Sequence, residues 1–163
     1  MPLPYTRTKT CDVTPTVTAG GYTAADAVGG LLTFSNAVRA DGSAGSSADA
    51  NSGEIRSVVL IDKAVGNTST TYELWLFDTT YTEIADNAAW AITDAVALTC
   101  VGVIPLTDIR TSSNNLVYTA RGTGLAFTIP SGTSLFGQLV CRGTAPTYGA
   151  TSDVKLRVVI AQD

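Results

Sequence analysis

The chain has 163 residues, 45% hydrophobic and only 15% charged, with 10 Lys and Arg against 14 Asp and Glu and no histidine. That length suits one domain whose core needs no metal or disulfide staple. Without histidine there is no Ser-His-Asp or Cys-His couple and no common His-bearing zinc site, and the acidic balance argues against nucleic acid as a partner.

In chain order, residues 6–9 and 13–18 are rich in Thr and Val around Pro15. They predict an edge strand or extended N-terminal arm over 1–18, with a single β-domain over 19–163. Residues 29–34 (GGLLTF) read as a turn entering a short strand, and 40–53 (ADGSAGSSADANSG) as a surface loop. The run 54–63 (EIRSVVLIDK) predicts a central strand, and 72–78 (YELWLFD) another after a polar turn at 66–69. In that second strand Leu74 and Leu76 share one face while Trp75 and Phe77 share the other, so both faces are apolar. Either the domain covers both, or a neighbouring subunit covers one.

Residues 86–98 are the one helical candidate, with Thr93-Asp94 placed to cap a short turn. Residues 101–106 return to strand, with Pro105 near its end, and 116–121 and 125–129 form a pair around a hairpin turn at Gly122-Thr123-Gly124. A strand at 135–142 and a turn at 143–147 follow. In 153–161, Val154, Leu156, Val158 and Ile160 alternate with Lys155 and Arg157, the pattern of a half-buried strand. These eight or nine strands predict an all-β protein, a jelly-roll-like β-sandwich of about eight strands with one short helical turn.

Chemistry-bearing constellations are sparse. The glutamates are Glu54, Glu73 and Glu83; Glu73 beside Trp75 suits a sugar site, but a cross-strand ion pair is the plainer account. The stretch 49–54 (DANSGE) imitates a calcium loop, yet puts Gly53 where an oxygen ligand belongs and Glu54 where glycine belongs. No catalytic, cofactor-binding or metal-ligating residue is predicted. Cys11, Cys100 and Cys141 are odd in number and lack a CxxC, so they read as reduced, partly buried thiols. No secretory signal and no bilayer-length apolar run is visible, which predicts cytoplasmic synthesis and no membrane partner.

A free monomer usually carries about a quarter to a third charged residues on its surface. This surface must instead be covered by Thr, Ser, Asn, Gly and Ala, which lose little when buried against another subunit. Contact with copies of itself or with a shell is the leading expectation. The predicted interface residues are Tyr5, Thr6, Thr8, Val13 and Val17 of the Thr-rich arm, together with Trp75 and Phe77. The arm is expected to reach onto a neighbour, so that removing 1–18 weakens binding and leaves the fold intact.

Four segments, 29–34 (GGLLTF), 55–63 (IRSVVLIDK), 72–78 (YELWLFD) and 135–144 (LFGQLVCRGT), with 152–158 (SDVKLRV), resemble small virion proteins of tailed bacteriophages. The likeness spans roughly residues 29–160 and implies a decoration, or cement, protein on the capsid surface. It further implies a symmetric oligomer, most simply a homotrimer, with the major capsid protein as partner. No functional residue carries over by position. The second expectation, from the aromatics, is a head-fibre or tail-associated carbohydrate-binding module.

Overall fold

A computed structural model of the chain describes residues 7–39 and 51–162. The strands are β1 Arg7–Val13, β2 Gly20–Gly21, β3 Ala27–Phe34, β4 Ser52–Asp62, β5 Thr70–Phe77 and β6 Cys100–Leu106. They continue with β7 Asp108–Thr111, β8 Leu116–Thr128, β9 Leu135–Gly143, β10 Thr147–Tyr148 and β11 Val154–Gln162. One helical turn, α1 Asp94–Ala97, precedes β6, capped by the Thr93 hydroxyl accepting the Val96 N–H at 3.3 Å. A five-stranded sheet runs β1-β11-β4-β8-β7 and a four-stranded sheet runs β3-β9-β5-β6, while β2 and β10 form a two-residue ladder. The fold is an all-β sandwich.

The pairing is nested. β1 pairs with β11, β3 with β9, β4 with β8 and β5 with β6, all antiparallel. The chain thus doubles back about residues 78–99, and the doubled ribbon wraps so that β11 meets β4 and β9 meets β5.

Inward residues of both sheets form one core. Leu156, Val158 and Ile160 of β11 and Val58 and Leu60 of β4 face Phe34, Leu74, Leu76 and Leu139 of the other sheet. On β11, Lys155 and Arg157 stay exposed between buried neighbours, as strand alternation requires. Truncating a fully buried leucine such as Leu74 to alanine costs about 2–5 kcal/mol.

Four expectations change. The Gly122-Thr123-Gly124 segment is no hairpin but a bulge inside the 13-residue strand β8, which pairs with β4 on both sides of it. Between Ile55↔Leu125 and Ser57↔Arg121 the ladder skips residues on β8. Gly122 and Gly124 absorb the excess at φ of 60° and 58°, left-handed values that favour glycine. The Thr123 hydroxyl donates to the Ile55 carbonyl and pins the bulge.

Second, of the edge strand and the extended arm expected for the N-terminal segment, residues 7–13 form the edge strand of their own sheet, in register from Arg7↔Gln162 to Val13↔Leu156, which changes the expectation for truncation. Removing 1–18 would strip this edge strand and take the buried side chains of Cys11 and Val17 out of the core, so it cannot leave the fold untouched. Third, Val17 is 1% exposed within the core, and its main chain bonds Thr151. Fourth, the loop expected at 40–53 ends earlier, since Ser52 and Gly53 already belong to β4; its residues 40–50 lie outside the described residues.

Candidate interaction surfaces

The two apolar faces of β5 are resolved mostly within the chain. Residues 78–99 lie against the outer side of the four-stranded sheet and bury Phe77 completely, with Tyr81 packed on it at a ring distance of 4.5 Å. Phe77 is therefore not an interface residue. Gln138 of β9 holds this cover in place. Its Oε1 accepts from the Tyr81 hydroxyl (3.1 Å) and Ile84 N–H, and its Nε2 donates to the Gly29 (2.9 Å) and Ile84 carbonyls. A glutamine with no exposed surface is stable only when so fully partnered.

The same segment closes the outer edge of β3. Asp86 accepts the N–H groups of Gly29 and Thr18, each at 2.6 Å, and the Tyr22 hydroxyl at 2.7 Å. Glu83 accepts the Leu31 N–H. Burial, with the Asp86 carboxylate beside it, pushes the Tyr22 phenol well up, so it remains a donor. Side-chain oxygens here occupy N–H groups that an edge strand would otherwise offer to another chain.

A second polar cluster is sealed inside. Asp62, with no exposed surface, accepts from Ala64 N–H (2.7 Å), Asn67 Nδ2 (2.9 Å) and the Tyr72 hydroxyl (2.9 Å), and the Tyr72 and Tyr148 hydroxyls lie 2.9 Å apart. The side chains of Asp62, Asn67, Tyr72 and Tyr148 are all buried, and the cluster ties the β4–β5 turn to the core.

Among the described residues, two patches are of interest. On the outer side of the four-stranded sheet, Trp75 is half-buried beside Trp90, with ring centroids 5.5 Å apart and tilted by 53°. Its indole Nε1–H donates to Glu73 Oε2 at 3.0 Å, where the Arg142 guanidinium also binds at 2.9 and 3.0 Å. The second patch lies on the outer face of the five-stranded sheet. There Val59 and Ile61 of the central strand β4, Val117 of β8 and Val159 of β11 are all half-buried. Register places Ile61 between Lys155 and Val117, and Val59 between Arg157 and Thr119. Val59 and Ile61 line a groove of about 410 Å³ with Asp12, Val13, Lys155 and Arg157.

Of the predicted interface residues, Tyr5 and Thr6 lie outside the described residues. Thr8 is exposed on β1, Val13 borders the groove and Trp75 centres the aromatic patch, on the opposite sheet. The structure does not gather them into one site. Nor does it gather the glutamates: Glu54 pairs with Arg56 (3.1 Å), Glu73 with Arg142, and Glu83 with the β3 edge. Of the calcium-like stretch, residues 49 and 50 lie outside the described residues, and Glu54 belongs to β4. The cysteines are unpaired; Cys11 and Cys141 are buried and Cys100 is half-buried, and burial pushes all three thiols up.

The apolar row on the outside of β4 and β8 is the feature that sequence reasoning missed. Its signal was present in the unbroken run Val58-Val59-Leu60-Ile61, which has no polar alternation. Comparison with protein-family models finds no match. A search of curated proteins likewise finds no match.

Proposed function

We propose that the protein is a non-enzymatic virion structural protein that binds the outer surface of a phage capsid as a symmetric homotrimer and stabilises the shell. The observation that carries this reading is the row of Val59 and Ile61 on the wet side of the central strand β4, with Val117 beside it on β8. A sandwich strand needs only its inner face apolar. Leaving the outer row in water forgoes about 25 cal/mol for each Å² left uncovered, which a second subunit or a shell protein recovers. The charge-poor composition points the same way.

The nested pairing and the orders β1-β11-β4-β8 and β3-β9-β5-β6 support the jelly-roll reading of the sandwich. That fold recurs in capsid proteins and in lectins, so it is compatible with the function without assigning it. β1 ends the five-stranded sheet, and its second edge pairs with no strand among the described residues. Strand addition there would bring Thr8 against the major capsid protein.

A protein that binds the assembled shell and not its free subunits shifts the balance toward the shell. The gain is about 2.7 kcal/mol per site at a hundredfold excess over Kd. A trimer touching several capsid subunits adds avidity without stronger single contacts. The test is the mass in solution, followed by mixing with undecorated phage heads. The expected result is a trimer and stoichiometric added density, both reduced by Ile61→Lys while the circular dichroism is unchanged. A monomer that never attaches to heads overturns the reading.

A further inference from the structure

We infer that the outer face of the four-stranded sheet carries a binding site for a neutral pyranose sugar, with Trp75 as its platform and Glu73 and Arg142 as its polar rim. This goes beyond the assembly reading and does not rest on it, since the two patches lie on opposite sheets.

Strand alternation places Glu73 and Trp75 together on the outside of β5, opposite Pro105 and Val103 of the edge strand β6. Pro105 and Val103 are exposed, so the indole is bordered by a low apolar rim on one side and by Trp90 on the other. The hydrogen bonds from Trp75 and Arg142 both end on Glu73 Oε2, and among the described residues no group donates to Oε1. The Glu73 and Arg142 side chains are 29% and 35% exposed, so the spare oxygen and the remaining guanidinium N–H groups are within reach of a ligand.

Three features select the ligand class. The negative face of an indole attracts weakly positive C–H groups, and one face of a pyranose is a layer of C–H. A carboxylate oxygen and guanidinium donors side by side match the paired acceptor and donor character of neighbouring sugar hydroxyls. Glu73 and Arg142 neutralise each other, so the rim offers little net charge to an ionic ligand. A quaternary ammonium needs separated rings to enclose it, whereas Trp75 and Trp90 touch. A dry protein interface would have to desolvate the ion pair, while sugar hydroxyls replace its water bonds in kind.

The test uses the full-length protein labelled with ¹⁵N, in which the two tryptophans give two indole N–H signals. The probes are methyl glucoside, galactoside, mannoside and N-acetylglucosaminide. At least one is expected to move the Trp75 signal saturably. Glu73→Gln should weaken that binding about tenfold, because a charge-assisted bond becomes a neutral one. Trp75→Phe removes the reporting indole, so it is followed on the backbone amides of Glu73 and Arg142; it keeps an aromatic in the strand and should weaken binding further without changing the urea midpoint by much. No saturable shift with any of the four sugars overturns the proposal, as does a shift indifferent to both substitutions. If Trp75→Phe instead changes the oligomeric mass and no sugar binds, the patch is a protein contact and the proposal fails.

Discussion

The carboxamide of Gln138 and the main chain of Ile84 grip each other at both ends. Nε2 donates to the Ile84 carbonyl at 2.5 Å, and Oε1 accepts the Ile84 N–H at 3.3 Å. This side chain thus adds to the Asp26↔Ala89 bridge and the main-chain bonds of residues 87–90 in holding residues 78–99 on the sheet. Gln138→Leu fits the volume but leaves buried groups of Ile84 and Gly29 unpaired, at about 1–3 kcal/mol each. The urea midpoint should fall, and tryptophan emission should shift to the red before global unfolding as the cover over Phe77 loosens. Unchanged stability in Gln138→Leu would remove this role.

Asp86→Asn separates charge and acceptor count from shape. Oδ1 accepts the Gly29 N–H and Oδ2 the Thr18 N–H, so either orientation of an asparagine turns its NH₂ against a main-chain donor. The expected loss is about 3 kcal/mol. Amide exchange at Gly29 and Thr18 should quicken ahead of the rest of the sandwich. Uniform quickening across all strands would count against a local latch.

Asp62 makes stability depend on pH in an unusual direction. Burial raises its carboxyl above the ordinary range, outweighing the bonds from Asn67, Ala64 and Tyr72 that favour the anion. The folded chain therefore keeps this proton to higher pH than the unfolded chain. The resulting stability is fully present below the unfolded value of about 3.9, and it is lost as pH rises through the folded value. Asp12 acts oppositely: a hydrogen bond from Arg157 lowers it, so its contribution is lost on acidification and is weakened by full exposure to solvent. Urea unfolding of wild type and Asp62→Asn isolates the buried group. The wild-type advantage should shrink from acid toward neutral pH; an advantage that grows sinks the assignment.

Gly137→Ala tests the close approach of β9 and β5. A Cβ at this position lies 2.8 Å from the Trp75 carbonyl oxygen and 3.1 Å from Phe34 Cε2. One obstacle is main chain of a paired strand, so relief requires moving the ladder. The expected cost is about 1–3 kcal/mol, read as a lower Tm. Gly66→Ala, which meets nothing within 4 Å, is the control and should change Tm little.

The sequence announced what local pattern determines. The alternation of 153–161 and the cap at Thr93-Asp94 both appear where expected. Period two put Trp75 on one face of β5 together with Phe77, without saying what covers that face. Phe77, two residues on, was misjudged because its cover comes from Tyr81 and from the loop that Gln138 anchors across 54 residues. Val17 was misjudged for the same reason, since its burial depends on neighbours far along the chain. The Gly122-Thr123-Gly124 error is of another kind. Two glycines with a small polar residue between them suit a tight turn and a bulge equally, and only the partner strand β4 decides.

The nested ladders also order events during synthesis. β1 is made before β11, so it waits without this partner while the strands β2 to β10 between them are translated. Its sequence, RTKTCDV, suits that wait: four of seven side chains are cationic or hydroxylic, which discourages stray pairing with other nascent chains. The closing of this ladder joins residues as far apart as Arg7 and Gln162, and such distant contacts make folding slow.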